Sequence, residues 1–313
     1  MGNLVSTIAQ AFPPKPKWGV DDIPDLSGKV TIVTGGNAGI GKETIKALLA
    51  HNAKVYMASR SEDKAKAAIA DLKAATGREA IFLKLDLADL KSVRVCAEEF
   101  LSKEKELHIL FLNAGVMACP IDWVTVQKYD MQFGTNVIGH FLFTQLLLPA
   151  LFAATQSSPS HEKARVVTTS SSAVYAINKI SFNAIADGPQ RRRMSPFSLY
   201  YPSKFGNAVV ARELARRYGD KIVSTSLNPG NLRSNLGQHL HRIQHKLAYW
   251  ISYDVPLGAL TQLRAGTSPE GADFNGKFLI PWARIGEPNP AIKDPKLGEK
   301  LWAYLENAVK DYM

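Results

Sequence analysis

The chain has 313 residues, of which 46% are hydrophobic and 21% charged, and this balance excludes a disordered protein. Its 38 basic and 28 acidic residues give a net charge of +10, but the basic residues are spread along the chain without a nucleic-acid motif, so we expect no nucleic-acid partner. The two cysteines, Cys96 and Cys119, form no CxxC pair, and no uninterrupted run reaches the roughly 18 apolar residues of a membrane span. These features favour a soluble, cytoplasmic protein without a zinc site or a disulfide framework.

Short apolar runs alternate with stretches of helical periodicity from Val30 onward. The predicted strands are Val30–Thr34, Lys54–Ala58, Ala80–Leu85, His108–Leu112, Arg165–Thr169, Ile222–Leu227 and Lys277–Ile280. The predicted helices are Ile40–Ala50, Ser61–Ala75, Leu90–Lys103, Val126–Leu151, Ser203–Tyr218 and Pro256–Ala265. Nearly continuous apolar strands between amphipathic helices indicate βαβ units on a parallel sheet covered on both faces. We therefore predict an α/β fold, a single doubly wound Rossmann domain with a seven-stranded parallel sheet.

Three segments fall outside this alternation. Residues 1–28 contain four prolines ahead of the first strand and are predicted to form an N-terminal arm, so that the Rossmann domain covers residues 29–313. Residues 173–198 form an insertion, and its basic run, Arg191–Arg193, is expected to lie in a solvated loop. Residues 231–253 interrupt the rhythm of the sheet and are predicted to form a helical substrate lid.

Apolar residues recur in the predicted lid at spacings of three and four, as in an amphipathic helix. These residues are Leu232, Leu236, Leu240, Ile243, Leu247 and Trp250. Their apolar face either closes over a hydrophobic substrate or packs on the sheet, and the sequence leaves both alternatives open. His241 and His245 share one face of this helix, but no carboxylate or cysteine accompanies them, so no metal is expected.

The N-terminal arm begins with a match to the N-myristoylation pattern M-G-x-x-x-[ST] over residues 1–6. A single acyl chain binds membranes only marginally, so a second apolar or basic signal is needed. Residues of both kinds follow: Leu4, Val5, Ile8, Phe12, Lys15 and Lys17. We therefore hypothesise peripheral membrane association through the arm, with an unmodified arm as the alternative.

A glycine-rich turn follows the first predicted strand and leads directly into a helix. It reads Thr34-Gly35-Gly36-Asn37-Ala38-Gly39-Ile40-Gly41. Glycines at these positions allow a tight turn and bring the backbone close to a pyrophosphate, which rests on the positive N-terminus of the helix. The strand–turn–helix context favours a dinucleotide site over an ordinary βα turn.

The end of the second strand bears on the choice of nicotinamide cofactor. A site for NAD usually offers a carboxylate here to the ribose 2′-hydroxyl. This chain has Ser59 at that position, followed by Arg60, whose guanidinium can pair with a 2′-phosphate. The sequence therefore predicts NADP(H) as the cofactor.

Tyr200 and Lys204 have the i,i+4 spacing that places two side chains on one helical face. A free tyrosine has a pKa near 10, too high for a base at neutral pH, and a nearby ammonium can lower it. We expect Tyr200 to be the acid/base of an alcohol–carbonyl interconversion, with Lys204 lowering its pKa. Tyr201 has no lysine at the fourth following position and is expected to pack.

Taken together, these motifs resemble those of the short-chain dehydrogenase/reductase family. The turn has the spacing TGxxxGxG, and YxxxK is met by Tyr200 and Lys204. Further matches, in family order, are Asn113-Ala114-Gly115, Asn136, Ser170-Ser171-Ser172 and Asn228-Pro229-Gly230. The long segment between Ser171 and Tyr200, residues 229–234 and the tail around Leu301-Trp302 resemble the branch of retinol dehydrogenases and WW-domain-containing oxidoreductases.

The resemblance implies specific roles for the matching residues. Ser171 would hydrogen-bond the substrate oxygen, with Ser170 and Ser172 as alternatives, Asn136 would position a water in a proton relay, and Lys204 would also hold the nicotinamide ribose. Asp86 would contact the adenine amine, or simply cap the following helix. The implied cofactor-binding residues are Thr34, Gly35, Asn37, Gly39, Ile40, Gly41, Arg60, Asp86, Leu87, Asn113, Ala114, Gly115, Tyr200, Lys204, Pro229, Gly230 and Ser234.

The resemblance also implies an activity, the interconversion of lipophilic alcohols with aldehydes or ketones, and NADP(H) favours reduction. Two alternatives stay open. One is an NADPH-dependent reductase of C=C bonds, such as the relatives of protochlorophyllide reductase, and the other is a cofactor-bound sensor or scaffold without turnover. The sequence leaves the physiological substrate undecided, and both a monomer and a homo-oligomer are compatible with it.

Overall fold

The structure is a computed structural model that describes residues 10–158, 162–233 and 252–313. Several sequence predictions fall on other residues and so lie outside the described part: the acylation pattern at residues 1–6, Ser234, His241, His245, and the predicted lid residues from Leu236 to Trp250. The two ends of the predicted lid segment are described, and they meet. The Arg233 amide donates to the Tyr253 carbonyl (2.9 Å), and the Tyr253 amide donates to that of Asn231 (2.8 Å).

Eight strands form one sheet in the order β3-β2-β1-β4-β5-β6-β7-β8. They are β1 (Val30–Thr34), β2 (Lys54–Ser59), β3 (Ile81–Lys84), β4 (Ile109–Leu112), β5 (Ala164–Thr169), β6 (Ile222–Leu227), β7 (Phe278–Ile280) and β8 (Arg284–Gly286). The order reverses between β1 and β4, as in a doubly wound Rossmann-like fold. The prediction of seven strands was one short. The eighth strand is antiparallel to β7, and its three residues are too few to produce a recognisable apolar run.

Helices cover both faces of the sheet. They are α1 (Gly39–Ala50), α2 (Glu62–Thr76), α3 (Leu90–Lys103), α4 (Met131–Gln156), α5 (Pro189–Arg192), α6 (Pro196–Tyr218), α7 (Val255–Thr267) and α8 (Pro295–Val309). Alternate side chains of each strand point to opposite faces. Ile32 of β1 therefore joins a core with α3, α4, α6 and α8, whereas Val33 joins a second core with α1, α2 and α7.

Helix α4 differs from its prediction, Val126–Leu151. It begins at Met131 because the Asp130 carboxylate accepts hydrogen bonds from the Gln132 and Phe133 amides, which caps the helix. Residues Gly134–Gly139 form a π-helical segment. With its 26 residues α4 is long and apolar enough to cross a membrane by length and composition, but most of its apolar part is buried inside the fold, so it packs as a core helix.

Helix α6, which contains Tyr200 and Lys204, begins earlier than the predicted Ser203. The Ser195 hydroxyl accepts from the Ser198 amide, and Pro196 occupies the first helical position, where its missing N–H costs nothing. The tyrosine and the lysine consequently lie on consecutive turns of the same helix.

The insertion contains a buried arginine. Arg191 was expected in a solvated loop, but it is only 1% exposed. Its guanidinium donates to the Asp187 carboxylate (2.8 Å) and to the Ile121 carbonyl (2.6 Å), and it lies 3.8 Å from the Asp130 carboxylate. The expectation was wrong for Arg191, because Ile121 and Asp130, which cover its guanidinium together with the nearby Asp187, come from segments that the local sequence does not identify. Arg192, by contrast, is exposed.

A buried histidine ties α4 to β1. The ring of His140 donates from Nδ1 to the carbonyl of Asn136 (3.0 Å), which leaves Nε2 to accept from the Thr34 hydroxyl (2.9 Å). Thr34 Oγ1 in turn accepts from the backbone amides of Asn113 and Ala114, both at 2.9 Å. This network of hydrogen bonds through His140 and Thr34 thus fixes the ends of β1 and β4 relative to α4.

His140 makes stability depend on pH. Burial, together with the neighbouring Lys204, lowers the pKa of the imidazole to about 4, against 6.5 in its ordinary state. Between those pH values the unfolded chain binds a proton that the folded chain does not, so the free energy of unfolding should fall as the pH is lowered, by up to about 3 kcal/mol. Urea unfolding of the wild type and of His140→Gln should show a weaker pH dependence in the variant; parallel curves would contradict this assignment.

Candidate active site

A cleft of about 720 Å³ runs along the carboxyl ends of β1, β2, β4, β5 and β6. Most of the predicted site residues line it: Gly35, Asn37, Gly39, Ile40, Arg60, Asp86, Leu87, Asn113, Ala114, Gly115, Ser171, Tyr200, Lys204, Pro229 and Gly230. Thr34, Gly41 and Asn136 lie behind this lining, and Ser234 is outside the described residues. Parallel strands collect their carboxyl ends at one edge, which is why residues so distant in sequence share one cleft.

The glycine turn between β1 and α1 depends on the absence of side chains. Gly39, the first residue of α1, has φ +54°, a left-handed conformation that favours glycine. At position 41 a Cβ atom would lie 2.4 Å from the carbonyl oxygen of Gly35, so any other residue would push the turn apart. The backbone therefore stays close to the first turn of α1, whose free amides suit an anionic group.

Ser59 and three cationic side chains lie at the β2 end of the cleft. The Ser59 hydroxyl is buried and has no hydrogen-bond partner among the described residues, which is costly unless a ligand satisfies it. Arg60 and Lys64 line the cleft beside it. Lys42 also lines the cleft, but it pairs with Asp71 at 2.6 Å. A buried polar atom beside exposed cations fits a ribose with an anionic substituent.

Asp86 lies further along the same wall. One of its carboxylate oxygens accepts from the Ala88 amide (3.0 Å), and its own amide donates to the Ser92 hydroxyl (3.0 Å). The residue therefore has a local structural role, while its position on the cleft also leaves it available to a ligand.

Tyr200 and Ser171 meet where α6 faces the end of β5. The tyrosine is 4% exposed, and the Ser171 side chain lies close enough to its hydroxyl to lower the phenol pKa. Burial raises the pKa of Tyr200 to about 12, and the neighbouring Ser171 side chain offsets only part of this rise. Desolvation thus outweighs the effect of the neighbouring groups on this phenol, and the expected lowering of its pKa by Lys204 stays a prediction. Tyr200 is consequently a protonated donor at neutral pH.

Lys204 lies one turn further along α6 and is also buried. Its ammonium donates to the carbonyl oxygen of Thr169 at 3.1 Å, and burial lowers its pKa to about 8. Ser170, one of the alternatives to Ser171, donates its hydroxyl to the backbone carbonyl of Lys204 (2.6 Å). Ser170 thus joins the end of β5 to α6, whereas Ser171 is the serine whose side chain acts on the pKa of Tyr200.

Asn136 is fully buried in the π-helical segment of α4, and its side chain is occupied within the protein. Its Oδ1 accepts from the Val116 amide (2.9 Å), while Nδ2 donates to the Val116 carbonyl (3.0 Å) and to the Ser203 hydroxyl (2.9 Å). These bonds brace the loop after β4 against α6. Water positioning by Asn136 stays a prediction.

Sequence reasoning missed several residues that build this site. His140 and Ser203 hold Thr34 and Asn136 from behind, and Val116 and Met117 add apolar side chains to the lining of the cleft. The histidine directly follows the glycine of the segment Asn136–Gly139, and a polar residue so placed in a strongly apolar helix was the available signal.

Comparisons with known proteins agree with this geometry. The family model for short chain dehydrogenases matches residues 29–183. The chain is 62% identical over the full length of both proteins to a short-chain dehydrogenase/reductase of Armillaria gallica. It is 37% identical to retinol dehydrogenase 12 of Mus musculus, over 88% of this chain and 85% of that protein.

Solved structures show the same fold. An uncharacterized protein of Mycobacterium paratuberculosis has a TM-score of 0.71 at 28% identity, over 94% of this chain and 97% of that one. A short-chain dehydrogenase of Shigella flexneri, solved in complex with NADP, has a TM-score of 0.62 at 22% identity, over 82% and 98%. The chain therefore belongs to the short-chain dehydrogenase/reductase family of oxidoreductases, close to its retinol dehydrogenase branch.

Proposed function

We propose that this protein is an NADP(H)-dependent oxidoreductase that interconverts an alcohol and a carbonyl compound, acting as a reductase of a lipophilic aldehyde or ketone. The observation that carries the proposal is the buried hydroxyl of Tyr200. It lies beside the Ser171 side chain, it is protonated at neutral pH, and it lies one helical turn from the ammonium of Lys204 in the same cleft as the glycine turn.

When bound, NADPH would supply a hydride to the carbonyl carbon, and the protein must supply the proton. Tyr200 donates that proton to the carbonyl oxygen, since its pKa of about 12 keeps it protonated until the oxygen becomes basic. The Ser171 hydroxyl holds the same oxygen within reach of Tyr200. The cationic form of Lys204 is held in place through the Thr169 carbonyl, so that its charge stabilises negative charge in the cleft.

Four features support NADP(H) over NAD(H). The β2 end of the cleft has no carboxylate at position 59, where an acid would repel a 2′-phosphate. Ser59 instead offers a buried hydroxyl that a ligand can satisfy. Arg60 supplies a guanidinium suited to bidentate pairing with a phosphate, and Lys64 adds a second positive charge. The residues present would therefore hold the phosphorylated cofactor.

The substrate class follows from the apolar wall and from the family branch. Val116 and Met117 line the same cleft as Tyr200, and thioether and aliphatic side chains favour an apolar ligand. The 37% identical relative is named retinol dehydrogenase 12, and retinol is a lipophilic alcohol. We accordingly propose lipophilic carbonyl compounds as the substrate class, and we do not propose that a retinoid is the substrate of this protein.

Replacing the catalytic hydroxyl tests the mechanism. Tyr200→Phe should lower kcat for aldehyde reduction by about 100- to 10,000-fold, because the proton donor is lost, while the Kd for NADPH stays within about threefold. Tyr201→Phe is the matched control, since it removes a neighbouring phenol and should retain activity. The assay follows NADPH absorbance with a panel of lipophilic aldehydes, ketones and enones. Near-normal turnover by the Tyr200 variant would refute the mechanism, and turnover of enones alone would indicate a C=C reductase.

Removing one guanidinium tests the cofactor preference. Arg60→Ala should weaken NADPH binding about tenfold or more, the loss expected for a charged hydrogen bond to phosphate, and should leave NADH binding unchanged. Arg94→Ala, which removes an exposed arginine outside the cleft, is the control. Fluorescence titrations with NADPH and with NADH measure the two dissociation constants. Equal losses for NADPH and NADH, or a wild type that prefers NADH, would exclude the proposed role of Arg60.

The ionisation of Lys204 sets the expected pH profile. Its pKa of about 8 means that its charge is lost as the pH rises through that value, whereas Tyr200 stays protonated. Both kcat/KM for reduction and NADPH affinity should therefore fall between about pH 7 and 9. In Lys204→Arg the positive charge persists, so kcat/KM should be lower than in the wild type and should stay constant over the same pH interval. An unchanged decline in that variant would assign the titration to another group.

A further inference from the structure

The N-terminal arm reaches the active site. Its described part runs from Leu26, whose amide donates to the His51 carbonyl just before β2 begins, back to Gln10 at the opposite, carboxyl edge of the sheet. Ile23 and Leu26 are buried in the core with α1 and α7, which anchors the arm on that face. The arm thus spans the height of the sheet and ends beside the cleft.

Gln10 is the arm residue that makes the contact, and it is only 2% exposed. Its side-chain Oε1 accepts from Asn228 Nδ2 at 2.9 Å, and its Nε2 donates to the Tyr175 hydroxyl at 3.0 Å. Asn228 and Tyr175 belong to different loops, so one amide from outside the sheet joins two strand-end segments.

Both of these segments build the site. Asn228 follows β6, and its Oδ1 accepts from the amide of Gly230, which has φ +90° and lines the cleft. Tyr175 ends the short 3₁₀ turn Ser172–Tyr175, and the residue that caps this turn is Ser171, whose hydroxyl accepts from the Ala173 amide. Gln10 is therefore two hydrogen bonds from Gly230 and one short turn from Ser171.

We propose that Gln10 is a positioning residue for the reaction: its amide holds the Asn228–Gly230 turn and the turn that presents Ser171 at a fixed separation. This inference rests on the proposed function. The arm is thereby a working part of the active site and not only an attachment segment. Asn228 is buried, so loss of the Gln10 oxygen leaves an unsatisfied donor directly below the cleft.

The test compares Gln10→Met with Tyr175→Phe. The first variant keeps the length of the side chain and removes both hydrogen bonds. The second keeps the ring, which packs edge-on against Phe278 at 6.4 Å, and removes only the hydroxyl. Gln10→Met should lower kcat and raise the Kd for NADPH, each about tenfold, and Tyr175→Phe should give about a threefold change in the same directions. The Tyr175 hydroxyl also donates to the Glu287 carbonyl at 2.6 Å, so the double variant should be somewhat worse than Gln10→Met. The added loss should stay below the roughly threefold expected of independent changes, because Gln10 and Tyr175 share one bond.

Phe12→Ala is the matched control on the same arm, since Phe12 is 66% exposed and should change neither quantity by more than about twofold. Unfolding is measured in parallel, and all kinetics are taken well below the melting temperatures. Wild-type values of kcat and Kd in both folded variants would overturn the proposal, and if Gln10→Met does not fold, Tyr175→Phe decides alone. Failure of the wild type itself to bind NADPH or to reduce a carbonyl would instead overturn the proposed function.

Discussion

A buried lysine constrains the whole site. Lys204 is 3% exposed, and among the described residues no carboxylate pairs with it. Burying an ammonium in this way is costly, and the cost appears as a pKa lowered to about 8. The Thr169 carbonyl accepts from its ammonium, and this contact requires α6 to lie directly over the end of β5. The placement of Tyr200 and Ser171 follows from that one crossing, because they belong to the same two elements.

The groups behind the lysine are neutral hydrogen-bonding side chains. His140 is kept uncharged, in part by Lys204 itself, and it connects Thr34 to α4. Asn136 and Gln10 brace loops through amides. A carboxylate at position 136 or 140 would lie near Lys204 and weaken its field in the cleft, whereas an amide and a neutral imidazole fix geometry without adding charge.

The sequence predicted those parts of the fold that depend on local patterns. The bounds of β1, β6 and α3 were confirmed, and the glycine turn and the YxxxK pair lie in one cleft as their spacing implies. The failures share a different cause. The start of α4 depends on the cap at Asp130, β8 is a three-residue strand that forms only against β7, and Arg191 is buried through partners from other segments. None of these three features produces a periodic pattern of apolar residues that the sequence would show.

Gln10 is the extreme case of this limit. Its partners Tyr175 and Asn228 are 165 and 218 positions away along the chain, and nothing in a proline-containing arm distinguishes one glutamine from its neighbours. The fold nevertheless gives it a defined role, because the parallel sheet gathers the loops after β5 and β6 at one edge and leaves their separation to be set from outside. The arm passes that edge, and a carboxamide, which can donate to one loop and accept from the other, joins the two loops while satisfying the buried Asn228 amide. Under the proposed role of Gln10, the positions of Ser171 and of Gly230 therefore depend on the N-terminal arm as well as on the motifs that follow it.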